Sequence, residues 1–203
     1  MVVTPVLISL LILLLVTKYY GGFIYRITAV VAFLGHVLVS LIIVPYVPYA
    51  WDINAFHRAA VTIASGGLPT ASSTVTSFGT FQGLLYVFFP SEPTTVAVFN
   101  GLFAVLVFIP ISYLIRQLYP DFTTTCNGCM SLVLFLPLPF LFLSIPMRDS
   151  LSVLLFFSFL ALGFHSLSEK DAVFAMPLIP MWGILFLFRR ELGLIALLGL
   201  VLQ

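Results

Sequence analysis

Three short stretches hold most of the side chains in this chain that could do chemistry. The richest is Trp51-Asp52-Ile53-Asn54-Ala55-Phe56-His57-Arg58-Ala59-Ala60. Ile53, Phe56, Ala60 and Ile63 recur at helical spacing, with Asn54, His57, Arg58 and Thr62 largely between them. That pattern predicts an amphipathic helix lying on a membrane surface. Asp52 stands at its start, and two readings fit it. It is either an N-cap accepting hydrogen bonds from the first free N–H groups, or a carboxylate held for general-base chemistry beside His57 and Arg58.

The second stretch, Pro146-Met147-Arg148-Asp149-Ser150, is set tightly between two apolar runs. Asp149 is placed to cap a helix opening at Ser150, or to join Arg148 in a binding site. Arg148 reads in two ways. Its planar donor fork suits a phosphate clamp, and its long stem equally suits an arginine that reaches lipid headgroups. The third stretch, Arg189-Arg190-Glu191, reads as a cytoplasmic helix boundary rather than a site.

These residues are conspicuous because the rest of the chain is so apolar. Of 203 residues, 62% are hydrophobic and 7% charged, where a soluble domain carries about 25% charged residues. The composition excludes a water-soluble enzyme and a disordered segment. The net charge of +1 leaves no basic surface for nucleic acid. What remains is an all-α polytopic transmembrane bundle forming one domain over residues 1–203. Spans of about 20 residues give about seven crossings, some broken or re-entrant, with an amphipathic helix on the outer face. Cys126 and Cys129 form a lone Cys-x-x-Cys. A structural zinc site wants four ligands, so the pair reads as ordinary loop cysteines and no metal site is expected.

The elements that must position the polar stretches follow from the apolar runs. Val2–Val16 and Ile27–Val44 are the first two, joined by a loop carrying Lys18 and Arg26. The positive-inside rule puts that loop in the cytoplasm, so residues 48–77 form the first outer loop, bearing the surface helix. Phe78–Pro90 is short for a crossing and reads as a tilted span or a re-entrant helix. Thr95–Leu114 contains Pro110, Met130–Ile145 contains Pro137 and Pro139, and Ala172–Phe188 contains Pro177 and Pro180. Ser150–Leu167 is a regular span between them. His36 and His165 lie within spans and are expected to make interhelical hydrogen bonds. Leu192–Leu202 is too short to cross about 30 Å of hydrocarbon, and the expectation is a longer protein continuing past Gln203.

The choice at Phe78–Pro90 matters to the site. If the segment crosses, Arg148 falls on the side opposite Asp52, an arrangement that the positive-inside rule mildly favours. If it re-enters, the two residues share a side.

The pattern from Tyr46 to Leu160 resembles a known family. Trp51-Asp52-x-x-x-Phe56-His57-x-x-Ala60 is followed by Gly66-Gly67, Phe78-Gly79, Leu84-Leu85-Tyr86 and a span opened by Asn100. This is similar to the first half of GT-C-type integral-membrane glycosyltransferases, which use polyprenyl-phosphate-linked sugars. Pro146-x-Arg148-Asp149-Ser150-Leu151 is similar to a step in oligosaccharide repeat-unit polymerases. The resemblance implies that Asp52 is the base that takes a proton from an acceptor hydroxyl. It implies that Arg148 steadies the phosphate, with Arg58, His57 and Asp149 behind it. The implied partners are a lipid-linked sugar donor and membrane lipids. No cofactor is called for, and a divalent cation is compatible with the family. A transporter or flippase, supported by the proline-broken helices, and a non-enzymatic membrane scaffold are the competing readings.

Overall fold

A computed structural model describes residues 2–20, 23–46, 51–69, 73–119, 121, 132–169 and 172–201. Eleven helices occur among them: α1 (Val3–Tyr20), α2 (Phe23–Ile43), α3 (Trp51–Ala64), α4 (Ser73–Phe88), α5 (Pro93–Leu106), α6 (Phe108–Leu118), α7 (Pro137–Leu143), α8 (Asp149–Glu169), α9 (Ala172–Ala175), α10 (Leu178–Phe188) and α11 (Arg190–Val201). No strand occurs among the described residues, so the all-α expectation holds. Three segments are long and apolar enough to cross a membrane: Phe23–Ile43, Pro93–Leu118 and Asp149–Ser168. Val3–Tyr19 and Val173–Phe188 are apolar but shorter.

Proline accounts for several of the breaks. Pro110 has no N–H to offer the Leu106 carbonyl. The helix accordingly interrupts at Val107, between α5 and α6, and the Ile111 N–H to Val107 carbonyl bond stretches to 3.4 Å. Pro137 opens α7, which lasts seven residues. Pro177 stands at the N-cap of α10 and Pro180 lies in its first turn, where a missing N–H costs least.

Glycines of the Gly66-Gly67 and Phe78-Gly79 pairs have structural work. Gly66 takes φ +83°, and the bonds from Gly67 N–H to Thr62 O and from Gly66 N–H to Ile63 O close α3 with a Schellman turn. Gly79 lets α4 press on α3, since a Cβ there would sit 2.7 Å from the Ala59 Cβ. The amphipathic expectation for α3 holds: Ile53, Phe56, Ala59 and Ala60 are buried, while Asn54 and Arg58 are exposed. That buried face is covered largely by α4, which is the partner it packs against most extensively.

Buried polar groups set the order of the helices. Tyr113 and His165 meet at 2.8 Å, joining α6 to the far part of α8. Asn100, fully buried in the middle of α5 rather than at its opening, donates through Nδ2 to the carbonyls of Ile145 (2.6 Å) and Met147 (2.7 Å). The α5–α6 segment and α8 therefore run in the same direction.

On α2, His36 Nδ1 lies 2.7 Å from Ser144 Oγ. The Ser144 hydroxyl donates to Phe140 O, so its oxygen accepts from His36, and the His36 ring stacks on Phe140 at 4.0 Å. One turn on, Ser40 Oγ donates to both His36 O and Ser144 O. These contacts make α2 and α7 run alike, towards the end of the bundle where α8 begins. The α2 exit and Arg148 thus share one end of the bundle, not the opposed placement that charge counting favours. Both intramembrane histidines act as interhelical partners, as expected.

Replacing Asn100 by alanine leaves the Met147 carbonyl without this donor and the Ile145 carbonyl with only the Met147 N–H. The expected outcome is a loss of about 1–3 kcal/mol of stability, read as a lower unfolding midpoint in detergent. An unchanged midpoint would show that the bonds to Ile145 and Met147 carry no weight.

Candidate functional site

Between α7 and α8 the backbone leaves helical form over residues 144–148, and the chain returns to helix at Asp149. Arg148 sits at the hinge. Its carbonyl accepts from the Ser152 N–H (3.0 Å) and from the Ser152 hydroxyl (2.8 Å), which pins its backbone. Ser150 and Ser152 are both buried, so the Arg148 side chain springs from a fixed base and is itself half-buried.

A second hinge faces it. Arg189 is the single residue between α10 and α11. Its N–H donates to Leu185 O at 2.7 Å and its carbonyl accepts from Gly193 N–H at 3.0 Å, so it closes one helix and opens the next. Trp182 Nε1 donates to Gly193 O at 3.0 Å and stitches the two helices together. Gly193 permits this because its α-carbon lies against Phe186, where a Cβ would meet backbone at 3.0 Å.

The two hinges enclose a cavity of about 280 Å³ lined by Ser77, Arg148 and the run Phe186 to Glu191. Arg148, Arg189 and Arg190 stand on its walls. The Arg189 guanidinium forms an ion pair with the Asp149 carboxylate, both side chains being about a third exposed. Arg190 lies 5.6 Å from the centre of the Phe186 ring, a cation–π distance. The first turns of α8 and α11 also start here, and their unpaired N–H groups add positive potential. A cavity of this size and charge suits a phosphate-sized anion.

The sequence candidates fall into two groups. Arg148 lines the cavity. Asp149 does not cap a helix at Ser150: α8 starts at Asp149 itself, Arg148 takes the cap position, and the Asp149 carboxylate is turned to Arg189. In this structure the Asp149 carboxylate has its partner in Arg189. Arg189 and Arg190, read from sequence as a boundary, stand at the junction of two helices and also line the cavity. No local signal could reveal this, because Arg189 meets a carboxylate 40 residues away.

The other group lies on α3. Asp52 is in the first turn of the helix, one residue inside rather than ahead of it, and its side chain lies outside the described residues. Arg58 is exposed and its Nε donates back to Asn54 O at 3.3 Å. His57 Nδ1 lies 2.9 Å from the hydroxyl of Tyr86 on α4, and burial lowers its pKa below the usual 6.5. Cys126 and Cys129 also lie outside the described residues. Among the described residues, no three His, Cys, Asp or Glu side chains come together.

A relay of rings ties the groups together. Phe56 of α3 meets Phe78 of α4 at 5.0 Å, and Phe78 meets Phe188 at 5.7 Å, next to Arg189. Phe78 also follows Ser77 of the cavity wall. The α3 helix is thus linked, through Phe78 of α4, to the residue beside Arg189. Comparison of the chain with known protein families, curated proteins and solved structures gives no match.

The His57 environment sets a pH dependence. Its folded-state pKa is depressed, so the unfolded chain binds the proton more readily. The stability held above the ordinary histidine value of 6.5 is lost progressively as pH falls below it. His57→Gln is expected to flatten part of that fall in unfolding midpoints. An identical slope in the variant would contradict the lowered pKa of the part-buried His57.

Proposed function

We propose that the protein is a multi-pass membrane glycosyltransferase working on a polyprenyl-phosphate-linked sugar. The observation that carries the reading is the arginine cavity formed where the α7–α8 and α10–α11 hinges meet, with the α3 helix of Asp52 linked to its edge through Phe78 and Phe188. Chains with this resemblance need two things at one place: positive charge for a lipid-linked phosphate and a carboxylate for the acceptor. Arg148 and Arg190 hold the phosphate of the donor in the cavity. The polyprenyl tail runs out along the apolar surface of the bundle.

The chemistry asks little of an acid. The acceptor oxygen attacks the anomeric carbon as the bond from that carbon to the phosphate oxygen breaks, and the electron pair leaves with the polyprenyl phosphate. That leaving group is already a stable anion, so fixed positive charge in a partly dry cavity lowers the barrier. Asp52 takes the acceptor proton. His57, neutral and bonded to Tyr86, orients the α3–α4 surface over which the acceptor arrives.

The test is transfer from a polyprenyl-phosphate-linked hexose in membranes containing the protein. Asp52→Asn is expected to abolish transfer at unchanged protein abundance. Arg148→Gln is expected to weaken donor binding about tenfold, the scale of one charge-assisted phosphate contact. Normal transfer in the Asp52 variant would overturn the reading.

A further inference from the structure

We infer that His57 binds a non-reacting hydroxyl of the acceptor through Nε2, and that Tyr86 is the positioning residue that aims it. The inference rests on the glycosyltransferase reading and names what holds the acceptor in place. On α3, Ile53, Phe56 and Ala60 are buried, Asn54 and Arg58 are exposed, and His57 is part-buried between the two sets. Its ring therefore stands at the rim of the α3–α4 contact. The inner edge of the ring is taken. Nδ1 lies 2.9 Å from the Tyr86 hydroxyl, and the two rings meet edge to face at 5.6 Å. Nε2 makes no hydrogen bond among the described residues, and it is not one of the buried polar atoms left without a partner. It therefore reaches the surface.

Tyr86 is suited to aim the ring because it is itself held fast. It is 5% exposed and packs in one cluster with Phe56, Ala60, Phe78 and Phe188. Gly79 and Gly83 bring its helix close to α3: an added Cβ would lie 2.7 Å from the Ala59 Cβ at Gly79, and 3.0 Å from Ile63 at Gly83. A hydroxyl fixed in this way on Nδ1 sets the orientation of the imidazole and so the direction of Nε2. The same cluster holds Phe188, the neighbour of Arg189, so the rim and the arginine cavity share one packed core.

The ligand class follows from the nitrogen left over. Burial lowers the His57 pKa below 6.5, so at neutral pH the ring is uncharged and offers little to an anion. A neutral imidazole nitrogen is one donor or one acceptor, according to the tautomer, and a hydroxyl complements either. Tyr86 works through His57 and does not touch the ligand.

The test uses the full chain in membranes, a polyprenyl-phosphate-linked hexose as donor, and methyl glucoside, a small neutral polyol, as acceptor. His57→Asn places an amide where Nδ1 stood, so Tyr86 keeps a partner while nothing replaces Nε2. It is expected to raise the acceptor KM about fivefold, the scale of one hydrogen bond. The donor KM stays the same and kcat changes less, the pattern of lost ground-state binding. His57→Gln, whose longer amide reaches the Nε2 position, is expected to recover part of that loss. Tyr86→Phe keeps the packed ring and is expected to raise the acceptor KM about threefold. In the His57→Asn background it is expected to add nothing, whereas a merely structural Tyr86 would add its loss in both backgrounds.

Should Tyr86→Phe fail to fold, the comparison of Asn with Gln at position 57 decides alone. If transfer in membranes depends on Asp52 but methyl glucoside accepts nothing, or its KM is the same in His57→Asn, this inference is overturned and the glycosyltransferase reading stands. If no transfer depends on Asp52, that reading fails, and the inference with it.

Discussion

The carbonyls of Ile145 and Met147 stand outside any helix; the Asn100 amide donates to both, and the Ile145 carbonyl also accepts from the Met147 N–H at 2.7 Å. In an apolar bundle an unbonded carbonyl is costly, because no water stands ready to replace the lost partner. The chain can therefore leave helical form at residues 144–148 only where a buried side chain supplies the donors. Asn100 does so from a neighbouring helix, while Ser144 binds His36 and Ser40 from the other side. This one satisfied break lets α8 begin inside the bundle. Arg148 and Asp149 are delivered to the interior edge as a consequence.

The second break, at Arg189, is of another kind. It is a one-residue turn closed by its own helices and braced by Trp182. Its position opposite the first break is what builds a site, since two helix starts and three arginines then surround one small volume. Such a concentration of positive charge is expensive in a chain of this composition. The Asp149–Arg189 pair offsets part of that cost and holds the two breaks in register. The pair stands at the cavity wall, where it joins the start of α8 to the turn between α10 and α11.

Much of this was legible in the sequence, and the parts that were not have a common cause. Helical periodicity found α3 and its buried face, and prolines marked the interruptions at α6, α7 and α10. Arg148 stood out because a lone guanidinium between two apolar runs has few uses. Contacts with a distant partner were not legible: Arg189, which stands at a helix boundary as expected, pairs with a carboxylate 40 residues away, and Asp149 stands in the first turn of α8 rather than ahead of it. The Asn100 amide could not be assigned to Ile145 and Met147 by spacing. The Gly66-Gly67 and Phe78-Gly79 pairs, parts of a resemblance in the sequence, acquire plain structural jobs as a helix stop and a close helix crossing.

The central claim is that the α2 exit with its surface helix and the arginine cavity belong to one end of the bundle, and so to one side of the membrane. Single cysteines at Asn54 and Glu191, both exposed, with Cys126 and Cys129 replaced, test it by labelling intact cells with a membrane-impermeant thiol reagent. The account predicts that both positions label from the same compartment. Labelling of Asn54 from outside with Glu191 reached only after permeabilisation would contradict it, and would separate the carboxylate of α3 from the phosphate site.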